Sequence, residues 1–188
     1  MNIILKTERL ILRKPKLSDW KDVVEGVGEY GVSKWLTTVP YPYKKSDAFK
    51  WISKYIKKWG DKDYPFFIEL RSEKKVIGCI AIHHVDKFTK VGATGSWINK
   101  KYWKKGYITE AKIAINDFAF NKLKLERLNS SIFSNNKASN ATQKKMGYKF
   151  EGKRRRCVGS KASGKIYDEN MYGLLKDDWK KARRKLVK

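Results

Sequence analysis

The sequence predicts an α+β fold in which helices flank a central mixed sheet that is mostly antiparallel. Three observations predict it. β-rich runs separated by polar or Gly-bounded turns occur toward both ends of the chain, as in antiparallel hairpins. Segments with helical periodicity alternate with these runs. Finally, 188 residues with 41% apolar side chains suffice for one buried core, and no linker or repeat divides residues 1–188 into separate domains.

The first third of the chain predicts one strand and two helices. Residues 7–14 form a β-rich run. Ser18 is a typical N-cap, and the apolar residues after it keep helical spacing. A second helix is predicted from Ser46 to Gly60, because its apolar residues share one face and glycine is typical of a helix end.

The middle of the chain predicts a hairpin and then a strand that leads into a helix. Two β-rich runs, residues 66–71 and 76–85, are separated by a short polar turn. Residues 95–99 predict the next strand, which runs into a lysine-flanked turn at Gly106. An amphipathic helix begins near Thr109.

A glycine turn that opens a helix is typical of an anion-binding site. The first N–H groups of a helix lack intrahelical partners, and the helix dipole adds partial positive charge. We therefore expect a phosphate group to be bound by main-chain N–H groups, with the Thr109 hydroxyl as a further donor; a helix-capping role of Thr109 is compatible with this. The N–H groups belong to Lys104, Lys105, Gly106, Tyr107 and Ile108.

The last third predicts a short strand, a short helix and a closing hairpin. The strand covers residues 128–133, and the helix ends at Gly147. Residues 148–156 and 166–175 are the β-rich runs of the hairpin. The strongly basic residues 180–188 predict a disordered tail.

Composition argues against several classes of protein. No run approaches the roughly 18 apolar residues of a membrane span, and the first residues do not resemble a leader, so we expect a cytoplasmic protein without a membrane partner. Cys79 and Cys157 are far apart in sequence and predict two free thiols. With only two histidines, the chain predicts no metal site.

The net charge is +25, from 44 Lys and Arg against 19 Asp and Glu. A charge of this size speeds encounter with polyanions, so RNA, the ribosome and acidic peptides are candidate partners. Residues 153–156 are the densest basic cluster and have the composition of a nucleic-acid patch. The same residues are equally typical of a solvated strand in a lysine-rich protein.

Residues 103–108 also resemble the pyrophosphate signature of the GNAT superfamily of N-acetyltransferases. That signature is Arg or Gln, two variable residues, Gly, one variable residue, and Gly or Ala. Here Trp103 occupies the first position and Ile108 the last, where the family usually has a small residue. The aromatic pair before the turn and the Tyr-x-Thr-Glu-Ala run after it resemble the RimJ/RimL branch, which acetylates the N-termini of ribosomal proteins.

The resemblance covers nearly the whole chain. Residues 7–13 resemble the opening strand of this branch, residues 40–43 its substrate-side loop, residues 136–139 its cofactor-contacting half, and residues 172–179 its closing strand. It implies the GNAT fold, with a seven-stranded sheet splayed between strands 4 and 5 and about four helices. It also implies that acetyl-coenzyme A lies in the gap, without a metal.

The resemblance implies roles for residues on both sides of the gap. A main-chain N–H near Ile98 would polarise the thioester carbonyl, and Asn136 would hydrogen-bond the pantetheine arm, although Asn is also an ordinary N-cap. Many relatives protonate the departing thiolate with a tyrosine four residues before the helix-ending glycine, where this chain has Gln143. Ser139 matches a serine proposed for that role, and is equally suited to a helix start.

The general base has several candidates. Relatives often carry a glutamate two residues before the glycine of the splayed strand, and Ala93 occupies that position. Glu69, His83 and His84 are the nearby alternatives, and a histidine titrates in the range that proton removal at neutral pH requires. All three are also compatible with purely structural roles.

Three aromatic residues fall where the resemblance places the acceptor. Trp35, Tyr41 and Tyr43 precede the second helix, and their rings can line a channel for an acceptor or simply pack a rigid loop. We therefore expect an N-acetyltransferase, monomeric or homodimeric, acting on a protein N-terminus, with ribosomal proteins as candidate acceptors. The alternatives are a small-molecule amine acetyltransferase and a non-catalytic protein that binds RNA or the ribosome.

Overall fold

The computed structural model describes residues 3–186 and contains one mixed sheet of eight strands. The strands are β1 (Leu5–Lys6), β2 (Leu10–Arg13), β3 (Tyr64–Leu70), β4 (Lys75–Asp86), β5 (Val91–Ile98), β6 (Arg127–Phe133), β7 (Lys149–Ser160) and β8 (Lys165–Leu175). Their spatial order is β1-β2-β3-β4-β5-β6-β8-β7. Neighbouring strands are antiparallel except β5 and β6, which are parallel.

Six α-helices flank the sheet in the described part of the chain. They are α1 (Trp20–Val27), α2 (Tyr30–Ser33), α3 (Lys45–Lys58), α4 (Tyr107–Asp117), α5 (Lys137–Lys145) and α6 (Lys176–Leu186). α4 continues into a π-helical turn over Phe118–Lys122. α3 begins one residue before the predicted start, because the Asp47 carboxylate accepts a hydrogen bond from the Lys44 N–H (2.8 Å) and closes the first turn there.

Two apolar layers lie on opposite faces of the sheet. Neighbouring residues of a strand point to opposite faces, and Phe66 and Phe67 of β3 accordingly enter different clusters. Phe66 packs with Ile115 of α4, whereas Phe67 packs with Val23 of α1 and Ile52 of α3. The sheet therefore has an α4 face and an α3 face.

The sheet opens between β5 and β6. Their parallel pairing covers only residues 91–93 of β5 and 127–129 of β6. β5 continues to Ile98 and β6 to Phe133 without pairing to each other. The two strands therefore diverge and leave facing unpaired edges, which we call the split.

The predicted architecture is confirmed, with a different number of elements. The sheet has eight strands because the two-residue strand β1 pairs with β2, so the split falls between the fifth and sixth strands. The helices number six because the four-residue α2 and the C-terminal α6 (Lys176–Leu186) are additional to those predicted. No helix within residues 3–186 is long and apolar enough to cross a membrane.

The expected disordered tail is wrong for residues 180–186, which belong to α6. The buried indole of Trp179 donates to Asp117 (2.9 Å), and Arg183 donates to the same carboxylate (3.0 Å). These contacts hold the amphipathic helix α6 against α4. The basic residues 180–186 therefore belong to a packed helix. Residues 187–188 lie outside the described range.

Candidate active site

The glycine turn forms an open helix N-terminus in the segment that follows β5, the strand on one side of the split. Gly106 is the N-cap of α4 and has φ of +81°, a left-handed conformation that favours glycine. Lys104 is also left-handed, at φ of +61°. No side chain caps α4 within the described residues. The N–H groups of Tyr107, Ile108 and Thr109 therefore have no intrahelical acceptor and remain available to an anion.

Arg9 flanks this turn, a role that sequence reasoning missed. Its Nη1 donates to the Lys105 carbonyl (3.0 Å), and its guanidinium lies 4.5 Å from the centre of the Tyr107 ring. A Cβ atom built at Gly106 would lie 3.4 Å from Arg9 Nη2. The contact joins residues almost a hundred positions apart, so no local sequence pattern indicates it. Arg9 adds a fixed positive charge to the turn.

Glu110 holds Arg9 in place. Its carboxylate accepts from Arg9 Nε (2.7 Å), the Arg9 N–H (2.9 Å) and the Thr7 hydroxyl (2.6 Å). Burial would raise the pKa of Glu110, but these hydrogen bonds outweigh burial and hold the pKa below its ordinary value. The ionised carboxylate therefore orients the guanidinium.

The end of β5 presents a main-chain donor to the split. The Asn99 N–H donates to Ile77 of β4 (2.8 Å). Because successive N–H groups of a strand point to opposite edges, the N–H of Ile98 faces away from β4 and toward the split. Trp103 fixes the adjoining turn, since its indole N–H donates to the Ile98 carbonyl (2.9 Å).

His83 lies beside the narrow end of the split, on the α3 face. It is directly opposite Ala93 in the β4–β5 pairing, and its ring packs 5.8 Å from that of Tyr55 on α3. Its Nδ1 is 3.2 Å from the Asp63 carboxylate. A Cβ built at Gly95 would lie 3.8 Å from His83 Nε2, so the absent side chain leaves this nitrogen uncovered.

Burial dominates the electrostatics of His83. It lowers the pKa of the imidazole, and the carboxylate of Asp63, which acts in the opposite direction, does not offset it. The pKa therefore lies below the ordinary value of 6.5. A neutral imidazole at pH 7 can accept a proton.

The other two candidate bases are less suitably placed. The carboxylate of Glu69 accepts from Arg13 Nε (2.6 Å), and Arg13 also binds Asp19 (2.9 Å), so Glu69 belongs to an ion-pair network. His84 is exposed, and its φ of +52° lies at an irregularity where β4 leaves its pairing with β5. These positions argue against both as the base.

The first turn of α5 carries two predicted site residues. The side chain of Asn136 caps the helix by accepting from the Ser139 N–H (3.2 Å). Ser139 is partly buried and lies one turn before Gln143 on the same side of α5. The structure thus gives Asn136 a capping role and places Ser139 on the same side of α5 as Gln143.

A buried lysine, also missed from the sequence, lies behind Gln143. Lys112 of α4 is 5% exposed, and its Nζ is 3.4 Å from Gln143 Oε1. The Gln143 amide in turn donates to the Ser130 hydroxyl. The only sequence signal was that Lys112 adjoins the apolar stripe containing Ala111 and Ile115, a position where lysines usually reach solvent.

The aromatic loop residues divide between surface and core. The ring of Trp35 lies 6.3 Å from that of Phe133 at the end of β6 and 6.4 Å from that of Tyr167 on β8. Trp35 therefore spans from the loop after α2 to the far side of the split. Tyr41 is exposed. Tyr43 is packed within the α3-face core, which argues against an acceptor contact because its ring is covered.

Together these groups provide an anion cradle, a main-chain donor and a neutral imidazole around one opening. Such a set can hold a phosphorylated ligand, polarise a carbonyl and accept a proton. Within residues 3–186, no three His, Cys, Asp or Glu side chains are arranged to hold a metal ion. Cys79 is a buried free thiol and Cys157 an exposed one.

Comparison with known proteins identifies relatives along most of the chain. The profile of the acetyltransferase (GNAT) domain family matches residues 9–149. The uncharacterized N-acetyltransferase YnaD of Bacillus subtilis (strain 168) is 28% identical over 176 residues, which cover 93% of this chain and 98% of YnaD. YdaF of the same organism, provisionally assigned as a ribosomal N-acetyltransferase, is 33% identical over 102 residues, covering 54% of this chain and 55% of YdaF.

The architecture is also similar to solved structures. A crystal structure of a GNAT-family acetyltransferase from Bacillus anthracis superposes with a TM-score of 0.80 at 27% identity. The superposition covers 93% of this chain and 99% of that protein. The similarity therefore extends over nearly the whole fold.

Proposed function

The chain belongs to the acetyltransferase (GNAT) domain family, and we propose that it moves the acetyl group of acetyl-coenzyme A to the N-terminal α-amine of a protein, within a ternary complex, with His83 as general base. The single observation that carries the proposal is the position of the cradle. The open N-terminus of α4 follows the unpaired end of β5 on one side of the split, and His83 lies opposite Ala93, where the pairing of β5 with β6 ends.

The cradle fits the pyrophosphate of coenzyme A. Its donors are main-chain N–H groups, which bind phosphate oxygens without side-chain reorganisation, and Arg9 adds a guanidinium suited to phosphate. Gly106 provides close access, because any side chain there would be strained at φ of +81° and would approach Arg9. Lys104 and Lys105, both exposed, contribute further positive charge.

Bound acetyl-coenzyme A would supply an acetyl thioester, and the residues of this chain would supply orientation and proton transfer. The Ile98 N–H would polarise the carbonyl oxygen. The amine forms its new C–N bond as the C–S bond breaks, and the proton that nitrogen loses would pass to Nε2 of His83. The Asp63 carboxylate would favour the tautomer with its proton on Nδ1, leaving the Nε2 lone pair free.

A protein α-amine is the acceptor best matched to this machinery. Its pKa is roughly 8, so an appreciable neutral fraction exists at pH 7 and one weak base suffices. Trp35, Phe133 and Tyr167 form an aromatic wall for the first side chains of a peptide. The net charge of +25 disfavours polycationic amines and favours acidic N-terminal segments. The assignment of YdaF adds ribosomal proteins to the candidates.

Release of free coenzyme A thiol, measured with acetyl-coenzyme A and peptides of graded charge, tests the proposal. Gly106→Asp should abolish coenzyme A binding, because an acidic side chain repels the pyrophosphate. Gly164→Asp, in the β7–β8 turn at φ of +66° and with open space around it, is the matched control and should bind normally.

Two results would point to the other functions. Turnover of small polyamines but not of peptides would reassign the acceptor. RNA binding that weakens with salt, in the absence of coenzyme A binding, would favour the non-catalytic alternative. The structure weakens the latter, because Lys153 and Arg154 of the basic cluster pair with Asp168 and Glu169 on β8.

A further inference from the structure

Lys112 occupies an unusual position for a lysine. It lies in the second turn of α4 with 5% of its surface exposed, and its one hydrogen bond within the described residues is the long contact of 3.4 Å with Gln143. A buried ammonium without a counter-charge is costly, and lysines in proteins normally avoid this arrangement. The charge therefore needs a role that an apolar side chain cannot fill.

The carboxylates near Lys112 are engaged elsewhere. Glu110, two residues earlier on α4, binds Arg9 and Thr7. Asp117, later on the helix, binds Trp179 and Arg183.

The fully buried polar residues of α4, α5, β5 and β6, other than Lys112 itself, are neutral. They are Gln143 of α5, Ser130 of β6, Asn116 of α4, and Thr94 of β5, whose hydroxyl is paired with that of Tyr148. Burial raises the pKa of Tyr148, so its hydroxyl stays protonated. The Asn116 amide nitrogen is buried without a hydrogen-bond acceptor in the described structure.

The hydrogen bonds from Lys112 lead to the narrow end of the split. Gln143 connects Lys112 to Ser130, the first residue of β6 beyond its pairing with β5. Across the split, Thr94 is the first residue of β5 beyond the same pairing. Lys112 therefore places a positive charge on the α4 face of the sheet, near the point where β5 and β6 diverge. His83 lies on the opposite, α3 face.

Gln143 itself cannot protonate the departing coenzyme A thiolate. It occupies the position at which the family resemblance implies a tyrosine that protonates coenzyme A thiolate, and a carboxamide has no acidic proton to give. The structure instead places a proton-bearing ammonium against its carbonyl oxygen.

We propose that Lys112 stabilises the departing coenzyme A thiolate and donates a proton to its sulfur, an inference that rests on the proposed acetyl transfer. As the C–S bond breaks, its electron pair stays on sulfur, and the S–H bond forms with a proton from Nζ. Lys112 becomes a neutral amine and regains its proton from water before the next turnover. His83 and Lys112 thus handle the two protons of the reaction from opposite faces of the sheet.

The electrostatics of Lys112 are compatible with this role. Burial lowers the pKa of Lys112 to about 8. At pH 7 the side chain is therefore still mostly protonated, yet it gives up its proton far more readily than an exposed lysine. Ser139, one turn before Gln143, remains a neutral hydroxyl that can hydrogen-bond the sulfur but cannot compensate its charge.

The decisive experiment measures the thiol pKa of coenzyme A bound to the protein, from the ultraviolet absorbance of the thiolate. A positive charge within about 4–6 Å lowers the pKa of an acid by about 1–3 units, so the wild type should bind a thiol of depressed pKa. In Lys112→Met and Lys112→Gln the thiol pKa of bound coenzyme A should return to its ordinary value. Lys145→Met removes an exposed charge from α5 and should leave the depressed value unchanged.

Kinetics supply a second readout. The kcat of the wild type should fall above about pH 8 as Lys112 loses its proton. The Met and Gln variants should lack this decline and have kcat lower by about 10²-fold, the lower end of the usual range for acid catalysis. A role limited to packing would lower kcat without removing the pH dependence.

The outcomes separate this inference from the proposed function. Normal coenzyme A binding with the same thiol pKa in the wild type and both variants overturns the role of Lys112 and leaves the proposed function intact. Failure of the wild type to bind coenzyme A overturns both. Because Met replaces a buried charge with an apolar chain of similar length, the variant should fold, and Lys112→Gln provides an independent check.

Discussion

His83 lies directly opposite Ala93 in the antiparallel pairing of β4 with β5, and the missing side chain at Gly95 exposes its Nε2. Ala93 is the position at which the family resemblance implies a catalytic glutamate. Directly opposed residues of antiparallel strands have Cβ atoms about 4.5–5.5 Å apart. An imidazole on β4 can therefore reach the space that a carboxylate on β5 would have occupied.

Replacing His83 tests whether it acts as the base in place of the glutamate that the family resemblance implies at Ala93. His83→Gln should lower kcat by about 10²-fold at pH 7, since a positioned base contributes at least that factor. Coenzyme A affinity should stay the same. In the wild type, kcat should fall as pH drops below the lowered pKa of His83, because the imidazole becomes protonated. An unchanged acid limb in His83→Gln would assign that limb to another group.

Asp63 should act by orienting His83. Asp63→Asn removes the carboxylate that raises the pKa of His83, so the acid limb of the kcat profile should move to lower pH, and kcat should fall less than in His83→Gln. Glu69→Gln is the control, because Glu69 pairs with Arg13 outside the split. A larger effect of Glu69→Gln than of Asp63→Asn on the pH profile would assign the base to Glu69.

The sequence predicted those parts of this site that are determined by residues close together in the chain. A glycine beside lysines at the start of an amphipathic helix indicates an anion cradle without tertiary information, and Gly106 is indeed the N-cap of α4. The alternation of helical and β-rich segments likewise predicted the sheet and its flanking helices.

The remaining residues depend on packing between distant segments. The opposition of His83 and Ala93 depends on the exact register of β4 and β5. A shift of one residue would turn the side chains of one strand to the other face of the sheet. The contact of Arg9 with the turn requires β2 and α4 to meet, and the burial of Lys112 requires α5 to cover it. Their roles therefore emerge only from the folded structure.

Arg9 should contribute to coenzyme A affinity. Arg9→Met should weaken binding by about 10- to 100-fold, because hydrogen bonds to charged groups contribute about 1.5–3 kcal/mol. The loss should shrink as salt concentration rises. Calorimetry measures both effects. Arg71→Met is the matched control, since Arg71 donates to the Glu8 carbonyl (2.9 Å) and should leave coenzyme A affinity unchanged.

Trp35 should affect the acceptor and leave the cofactor unaffected. Trp35→Ala opens the aromatic wall toward Phe133 and Tyr167, and the peptide KM should rise about tenfold, equivalent to a loss of about 1.4 kcal/mol. Trp35→Phe keeps a ring there and should retain most of the affinity. Equal KM values for wild type and Trp35→Ala would place the acceptor elsewhere.

The buried charge of Lys112 should make stability depend on pH in a defined direction. Its pKa is lowered from 10.5 to about 8 in the folded protein, so the folded state binds fewer protons than the unfolded state between these values. The free energy of unfolding should therefore rise between pH 8 and 10.5. Below pH 8 the full cost of burying the Lys112 charge applies, about 3 kcal/mol at 1.36 kcal/mol per pKa unit.

Lys112→Met removes the charge, so it should be more stable than the wild type at pH 7 and match it near pH 10.5. Urea unfolding of both proteins across this range measures the difference between their free energies of unfolding, in which the contributions of all unchanged groups cancel. A variant less stable than the wild type at every pH would show that the Lys112 contact with Gln143 stabilises the fold.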